Sequence, residues 1–425
     1  MPIHRRTFLK ATGAISAATI LKPSIVFGTK ANSAIRMGII GCGNRGTAVI
    51  SSFLKNTNTN IVAMADLFED KLQAAKNKFN KLNTDKNFSE IPQQNMYHGS
   101  KAYLQLLENK DVDAVLISSP AYTHPWFLEA AVDAGKHVYC EKPVAPDIAG
   151  CKKVLQIGEK LNKNLSAVIG FQIRYATPYV EMVKRIQQGA IGELISAQLY
   201  YFSSGSPVYE LKNVSDDEFR IRNHYHFHAL SGGIFLDQII HMLDVCNWTL
   251  QANPVNAFGR GNRNGDPGIG DTWSNYQVIY QYPNDINVST HATKVGPAFG
   301  DVCCRFIGSK GSAEAHYSGG VFIKGDNAWD SGVSRTGTEL TPEQQASGVF
   351  LSSLDDADAN KEKAFIESIE KGKYLNNLQS GAESTLTAIL GRNAAESKKE
   401  TTWNEVIASN EKFDPKLNLS QFDKA

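Results

Sequence analysis

The sequence lacks a charge imbalance and a long apolar run. Its 44 lysines and arginines are nearly balanced by 43 acidic residues, which leaves a formal net charge of +1. Such a balance provides no basic field for nucleic acid and no acidic tail, so we expect no nucleic acid partner. After residue 35 there is no stretch of about 18 uninterrupted apolar residues, so we expect no membrane span in the mature chain.

Cysteine is also scarce, with six residues in a chain of 425. Their spacing is not that of a disulfide framework, and a chain of this length does not need one. We expect all six to be free and mostly buried, since the adjacent Cys303 and Cys304 would bridge only with strain. No internal repeat occurs, and the length exceeds one ordinary core, so two domains are predicted.

The first thirty residues differ in composition from the rest. The pair Arg5 and Arg6 precedes a mildly apolar run from Ala11 to Leu21. A charged segment before an apolar one is typical of a signal peptide, and the pattern Arg-Arg-x-Phe-Leu-Lys resembles the twin-arginine export signal. We therefore expect residues 1–33 to be a leader read by the twin-arginine machinery and the folded protein to be periplasmic. A disordered basic terminus is the alternative.

A glycine-rich turn follows the first predicted strand, Ile35 to Ile40. Gly41, Gly43 and Gly46 have the spacing G-x-G-x-x-G, and a predicted helix follows them. The first glycine permits a tight turn, the second lets the backbone approach a pyrophosphate, and the third lets helix and strand pack closely. The helix N-terminus would face the anion, so the pattern predicts a dinucleotide site.

A carboxylate follows at the interval expected for such a site. The next predicted strand, residues 60–65, ends at Asp66. Its carboxylate would accept hydrogen bonds from the adenosine ribose hydroxyls and repel a 2′-phosphate. We therefore predict NAD rather than NADP, with Asn44 and Arg45 also in the cofactor-binding loop.

Strands and helices alternate as far as residue 170, which predicts a doubly wound, Rossmann-like parallel sheet. The predicted elements are strands at 113–120, 136–142 and 165–170, helices at 71–79, 103–107, 123–134 and 146–162, and a loop at 81–97.

One of these strands runs into Glu141-Lys142-Pro143. Proline has no N–H and cannot continue a ladder, so we expect the strand to stop at Lys142 with the ammonium at its carboxyl end. Ligands of open α/β sheets bind at the carboxyl ends of the strands. A plain surface lysine is the alternative interpretation of this residue.

Three motifs together resemble the Gfo/Idh/MocA oxidoreductase family, which includes glucose–fructose oxidoreductase and inositol dehydrogenase. They are the glycine turn, the pattern Ser-Pro-x-x-x-His from Ser119, and Ala-Gly-Lys-His-Val-Tyr-Cys-Glu-Lys-Pro ending at Pro143. The resemblance covers nearly the whole chain after residue 35. It implies an NAD-binding domain at 34–170. Beyond the glycine turn and Asp66, the cofactor site it implies includes Ser119, Pro120, His124, Glu141, Lys142 and Gln172.

The resemblance also implies a second, α+β domain at 171–425 with an open, mainly antiparallel sheet. Residues there alternate in the manner of strands. The family often associates through the outer face of this sheet, so we expect a homodimer or homotetramer, and the C-terminal helices are expected to pack back on the first domain. Strands are predicted at 191–201, 275–282, 286–293, 302–308 and 312–316, helices at 178–189, 362–371 and 382–397, and a loop at 325–350.

Asp237 and His241 are four residues apart, so on a helix they would share one face among apolar neighbours. A buried Asp/His pair needs partners, and a satisfied core pair is one interpretation. The resemblance instead places the pair beside Lys142. It implies that His241 is the general base, that Lys142 stabilises the developing alkoxide, and that Asp237 orients His241 or binds a sugar hydroxyl.

Other residues are expected to contact the substrate. Arg174 and Tyr175 follow the last strand of the first sheet, where the family lines its pocket, and Arg222 and His224 lie in a histidine-rich stretch. Histidines at alternate positions could bind a metal, but no matching carboxylate spacing supports this, so no metal site is expected. Hydrogen bonds to sugar hydroxyls are favoured. The stretch from Arg222 to Tyr225 also resembles the NAD-dependent glycosidases of the same superfamily.

The sequence therefore predicts an exported NAD-dependent oxidoreductase that transfers hydride between a sugar or glycoside hydroxyl and a tightly bound cofactor. Export implies the tight binding, because little free NAD is expected outside the cytoplasm. One alternative is a redox-neutral glycosidase that oxidises a hydroxyl, eliminates, adds water and reduces back. Another is a non-catalytic sugar-binding protein.

Overall fold

The computed structural model describes residues 33–295, 301–333 and 353–423. The predicted leader therefore lies almost entirely outside the described residues, as does most of the predicted loop at 325–350. The described residues from Ile35 onward form one compact unit.

A six-stranded parallel sheet forms the first half of the described chain. Its elements are β1 (Ile35–Ile40), α1 (Asn44–Asn56), β2 (Thr59–Asp66), α2 (Glu69–Thr84), β3 (Met96–His98), α3 (Ala102–Glu108), β4 (Ala114–Ile117), α4 (His124–Asp133), β5 (His137–Cys140), α5 (Ile148–Lys160) and β6 (Ala167–Ile169). The strand order is β3-β2-β1-β4-β5-β6, so the predicted doubly wound sheet is confirmed. Strand order reverses between β1 and β4, which is where ligands of such sheets bind.

Several predicted boundaries in this half are wrong, among them the end of β5 and the loop at 81–97. Strand β5 pairs only as far as Cys140, two residues before Lys142; Glu141 still donates its N–H to the carbonyl of Ile117 at 2.9 Å, and then the chain leaves the sheet. Residues 81–97 are not all loop, because α2 continues to Thr84 and β3 follows. The buried side chain of Asn83 holds the end of α2, since it accepts from the N–H of Ile61 and donates to the carbonyl of the same residue.

A nine-stranded mixed sheet forms the second half, as predicted. Its strands are β7 (Leu194–Ser203), β8 (Asn256–Asn262), β9 (Asn275–Tyr282), β10 (Ile286–Lys294), β11 (Asp301–Gly308), β12 (Gly311–His316), β13 (Val321–Gly325), β14 (Trp329–Asp330) and β15 (Thr401–Thr402). The order is β14-β13-β12-β11-β7-β10-β9-β8-β15. Strands β7 and β10 are parallel, and the other neighbours are antiparallel.

The second half of the described chain also contains helices, some of which pack on this sheet. They are α6 (Thr177–Gln187), α7 (Asp216–Arg222), α8 (His228–Ser231), α9 (Ile240–Leu250), α10 (Ala357–Glu370), α11 (Leu378–Ser397) and α12 (Trp403–Ala408). A π-helical turn, Phe235–Ile239, precedes α9 directly. The segment His228–Leu250 is long and apolar enough to suit a membrane span, but 83% of the window is buried inside the protein, as in a core helix.

Two late helices pack against the first half of the chain. Helix α11 is buried around most of its circumference and contacts both α5 and β8. Helix α10 packs on α1: the ring of Phe365 lies 6.0 Å from that of Phe53, and Ser52 donates to the buried carboxylate of Glu362 at 2.8 Å. The helix that follows the glycine turn is therefore supported by a segment about 310 residues further along the chain.

All six cysteines are free and buried, as predicted. Cys303 and Cys304 are neighbours on β11, and successive side chains of a strand point to opposite faces of the sheet. Cys304 belongs to the apolar core beneath the sheet, and Cys303 is on the other face with the side chain of its cross-strand partner, His316.

Candidate active site

Of the three glycines in the turn, Gly41 and Gly46 have no room for a side chain, whereas Gly43 has. Gly41 has φ +97°, and a Cβ there would lie 2.6 Å from the carbonyl oxygen of Ser118. A Cβ on Gly46 would lie 2.1 Å from the carbonyl oxygen of Gly41. Around Gly43 nothing lies within 4 Å of an added Cβ, and Gly43 begins α1 without a side-chain cap. The helix N-terminus therefore faces open space, which fits the pyrophosphate of a dinucleotide.

Asp66 lies beside this turn, at the end of β2. One carboxylate oxygen accepts from the N–H of Cys42 at 2.6 Å and the other from the N–H of Phe68 at 2.9 Å. Burial raises the pKa of Asp66, and the two backbone bonds oppose the rise. These bonds fix the carboxylate beside the glycine turn.

Arg45 joins the glycine turn to the end of β5. Its guanidinium donates to the carboxylate of Glu141 at 3.1 Å, and only 5% of the Glu141 side chain is exposed. Asn44 is the adjacent first residue of α1. The structure thus brings the loop residues and the Glu-Lys-Pro segment together.

His124 connects the ends of β4 and β5. Its two ring nitrogens lie 2.8 Å from the carbonyl oxygen of Ser119 and 2.7 Å from that of Pro143. Burial lowers the pKa of His124. Pro120 begins the turn into α4. These contacts are with backbone, so His124 fixes the geometry of the two strand ends.

Asp237 lies between two lysines. The Lys142 ammonium donates to the backbone carbonyl of Asp237 and lies 3.3 Å from its Oδ1, and the Lys294 ammonium lies 3.4 Å from Oδ2. Burial raises the pKa of Asp237, but the two ammoniums outweigh it and hold this pKa far below its ordinary value. The carboxylate is therefore ionised at neutral pH.

His241 is 4% exposed and stands on the first turn of α9. The rings of Phe171 and Tyr317 each lie 6.2 Å from its imidazole. Its Nδ1 is buried and has no hydrogen-bond partner among the described residues, so the expected bond by which Asp237 would orient His241 at this nitrogen is not formed. Burial, and then the Lys142 ammonium, lower the pKa of His241 well below 6.5, so the imidazole is neutral at neutral pH.

Two aromatic residues complete this cluster. The His224 ring packs on the Tyr225 ring with centroids 4.1 Å apart, and the Lys294 ammonium lies 5.1 Å from the Tyr225 centroid. Burial lowers the pKa of His224 to about 4. Sequence reasoning included His224 but missed Lys294 and Tyr225. Lys294 is the last residue of β10, and the parallel register with β7 brings it to the site.

Two of the predicted substrate contacts, both arginines, form ion pairs with other residues of the chain. Arg174 forms an ion pair with the buried Asp244 at 2.8 Å. Arg222 forms an ion pair with Asp70 at 2.7 Å, and its guanidinium lies 4.0 Å from the centroid of the Phe68 ring. Arg222 therefore lies beside the residues that follow Asp66.

Two neighbours of Arg174 remain available for ligand contact. Gln172 is 2% exposed, and its Oε1 is buried without a partner among the described residues. Such an oxygen costs free energy unless a ligand or water supplies a donor, so it fits a polar group of a bound cofactor. The Tyr175 side chain is partly buried, and its backbone carbonyl accepts from Asn360 at 3.1 Å.

The sheet, the open glycine turn and the lysine–carboxylate–histidine cluster define the class of an NAD-binding, Rossmann-type oxidoreductase. A family model described as "Oxidoreductase family, NAD-binding Rossmann fold" matches residues 35–168, and the GFO/IDH/MocA C-terminal domain matches residues 179–314. The chain belongs to the Gfo/Idh/MocA oxidoreductase family.

Two curated relatives and one solved structure are similar to this chain. A glycosyl hydrolase family 109 protein of Shewanella sp. (strain W3-18-1) is 27% identical over 220 residues, 47% of this chain and 46% of that relative, so the chain spans about half of its length. The myo-inositol 2-dehydrogenase of Thermotoga maritima is 25% identical over 88% of this chain and 100% of its own. The structure of scyllo-inositol dehydrogenase from Lactobacillus casei with NAD(H) and scyllo-inositol shares the fold, with TM-score 0.66 and 21% identity over 87% of this chain and 99% of that chain.

Because the space around Gly43 is empty, a substitution there can test cofactor binding without disturbing the fold. We expect Gly43→Ala to leave the free energy of unfolding within about 0.5 kcal/mol of the wild type, because the added Cβ meets nothing within 4 Å. NAD binding should weaken at least about tenfold, because the methyl group occupies the space of the pyrophosphate. Urea unfolding and cofactor titration measure the two quantities.

Gly46→Ala is the contrasting variant in the same turn. Its Cβ would lie 2.1 Å from a backbone oxygen, so both stability and NAD binding should fall. Undiminished NAD affinity in Gly43→Ala would show that the cofactor does not use this turn.

Proposed function

We propose that this chain is an NAD-dependent dehydrogenase that oxidises a ring hydroxyl of a sugar, a glycoside or a related polyol. The observation that carries the proposal is the cluster of Lys142, Asp237 and His241, which lies at the carboxyl end of β5 beside the glycine turn. The likeness to inositol dehydrogenases supports a polyhydroxylated ring as substrate.

His241 is the general base in this proposal. Its lowered pKa keeps the imidazole neutral at neutral pH, so it accepts the proton of the substrate hydroxyl. The Lys142 ammonium donates a hydrogen bond to the same oxygen and so stabilises the alkoxide that develops. Bound NAD supplies the hydride acceptor. Asp237 fixes the ammoniums of Lys142 and Lys294 instead of orienting His241.

We further propose that the cofactor is NAD rather than NADP. The support is the carboxylate of Asp66, which two backbone N–H groups hold in place beside the glycine turn. A fixed negative charge at this point would repel the 2′-phosphate of NADP.

We propose that the protein is exported folded to the periplasm with its cofactor already bound. The support is the twin-arginine pattern at Arg5 and Arg6, which lies outside the described residues. A cofactor carried through export must be regenerated in place, either by a second substrate or within a redox-neutral cycle.

The second candidate function is a redox-neutral glycosidase. The likeness to glycosyl hydrolase family 109 favours it, and its oxidation step would use the same Lys142 and His241. Against it, this chain keeps Glu141-Lys142-Pro143, which the known glycosidase branch alters. The products distinguish the two reactions, because a dehydrogenase forms a keto-sugar and a glycosidase releases a monosaccharide.

The cofactor itself provides the first test. Mass spectrometry of the small molecules released on denaturing the purified protein should detect NAD or NADH near one equivalent, because a captive cofactor survives purification. A panel of glycosides and inositols then shows which product forms. A protein that contains no cofactor and binds NAD only weakly would contradict the captive cofactor. Binding of sugars without turnover across the panel would favour a non-catalytic binder.

The two catalytic assignments predict loss of turnover and a shifted pH profile. Lys142→Ala and His241→Ala should each lower kcat about 10²–10⁴-fold, the usual contribution of a positioned acid or base.

A base must be deprotonated to act, so kcat/KM of the wild type should fall on the acid side of its pH profile with an apparent pKa below 6.5. His241→Ala should lose this acid limb.

The control is Lys153→Ala, a lysine paired with the exposed Glu129 on the surface, which should retain full activity. Near-normal turnover of either catalytic variant would reject its assignment, and an acid limb at or above pH 6.5 would reject His241 as the base.

We also propose a homodimer or homotetramer formed through the outer face of the second sheet. Exposed apolar side chains support it: the cross-strand pair Phe258 and Ile279 is about half exposed, and Ile195 and Ile307 lie on the same sheet. Ile279→Asp should lower the mass measured by sedimentation, since a charge opposes burial of that face. A wild-type monomer at micromolar concentration would contradict the proposal.

A further inference from the structure

A cluster of metal-ligating side chains lies on the second sheet, apart from the residues assigned to catalysis. Asp301 and Cys303 are two residues apart on β11 and share one face, and His316 on β12 is the cross-strand partner of Cys303. One carboxylate oxygen, the thiol sulfur and one imidazole nitrogen all lie within 4.8 Å of one another. The histidines near residue 224 are the metal candidates visible in a local motif, whereas the pairing of β11 with β12 that forms this cluster is not visible in the sequence.

The imidazole of His316 is held in a defined orientation. Its Nδ1 faces Oδ1 of Asp301 at 3.5 Å, and its Nε2 contacts Oε1 of Glu314 at 2.6 Å. The other oxygen of Glu314 accepts from Nε of Arg305 at 2.6 Å. A carboxylate behind the far nitrogen of a histidine is the usual support of a metal-bound imidazole, because it fixes the ring and raises its basicity.

We propose that Asp301, Cys303 and His316 bind one Zn²⁺ ion, with Glu314 supporting His316 from behind. Thiolate, imidazole and carboxylate are the ligands that zinc takes in proteins. Nitrogen and oxygen ligands at about 2.1 Å from a tetrahedral zinc are about 3.4 Å apart, close to the 3.5 Å between Asp301 and His316. Three protein ligands leave a fourth position for water or another donor.

The ligand set also matches the charge of the ion. A Cys303 thiolate and the Asp301 carboxylate carry two negative charges and a neutral His316 imidazole carries none, so together they neutralise Zn²⁺. The thiol proton of Cys303 is released to solvent when the metal binds.

In the single chain the site is also accessible. The side chains of Asp301 and His316 are each 26% exposed, whereas Cys303 is buried beneath them. An ion can therefore reach the two exposed ligands first and the thiol afterwards.

The test is metal binding by the untagged, full-length protein after treatment with EDTA. Titration with Zn²⁺ against a chromophoric chelator should give one equivalent, and Co²⁺ should produce a thiolate-to-metal charge-transfer band. Cys303→Ser should abolish that band, and Glu314→Gln should weaken zinc binding about 10–100-fold, as is usual when the partner behind a ligating histidine is changed.

Cys304→Ala is the matched control, because this cysteine is adjacent in sequence but lies in the apolar core. It should retain both the stoichiometry and the cobalt band. Thermal unfolding of each variant shows whether it folds. If Cys303→Ser does not fold, the cobalt spectrum of the wild type and the zinc affinity of Glu314→Gln test the proposed site. No bound equivalent, no thiolate band, or zinc affinity unchanged in Glu314→Gln would overturn the proposal and leave an ion-pair cluster.

Discussion

The ionised carboxylate of Asp237 between the ammoniums of Lys142 and Lys294 is the interaction on which the site depends. The three side chains are 13–19% exposed, so each charge has lost much of its hydration and needs the others. They come from the segment after β5, the π turn before α9 and the end of β10. One electrostatic cluster therefore fixes the position of the parallel sheet relative to two parts of the second domain, and the neutral His241 lies in the field of that cluster.

The sequence was sufficient for the parts of the site that depend on local pattern. The spacing of Gly41, Gly43 and Gly46 is typical of a dinucleotide-binding turn, and Asp66 follows at the end of the next strand. The glycine motif and the acidic residue could therefore be recognised from the sequence. The strands of the second sheet at 275–282, 286–293, 302–308 and 312–316 are confirmed to within one residue, because alternation of apolar and polar residues marks each of them.

Residues that depend on distant partners could not be placed in this way. Lys294 has no motif around it, and only the parallel pairing of β10 with β7 brings it to Asp237. Arg174 and Arg222 are long side chains whose positions are decided by Asp244 and Asp70, and neither acid could be identified from the sequence. The spacing of Asp237 and His241 predicted that the two residues share a helix face. It did not predict the partners of the carboxylate, which are the ammoniums of Lys142 and Lys294.

The packing of α10 on α1 has a consequence for the order of events during synthesis. Glu362 and Phe365, which support the helix after the glycine turn, leave the ribosome about 310 residues after Ser52. The nucleotide-binding half therefore cannot complete its native contacts while the chain is being made, and its cofactor cradle matures only after translation is nearly finished. A chain truncated before Ala357 would lack the helix that packs on α1.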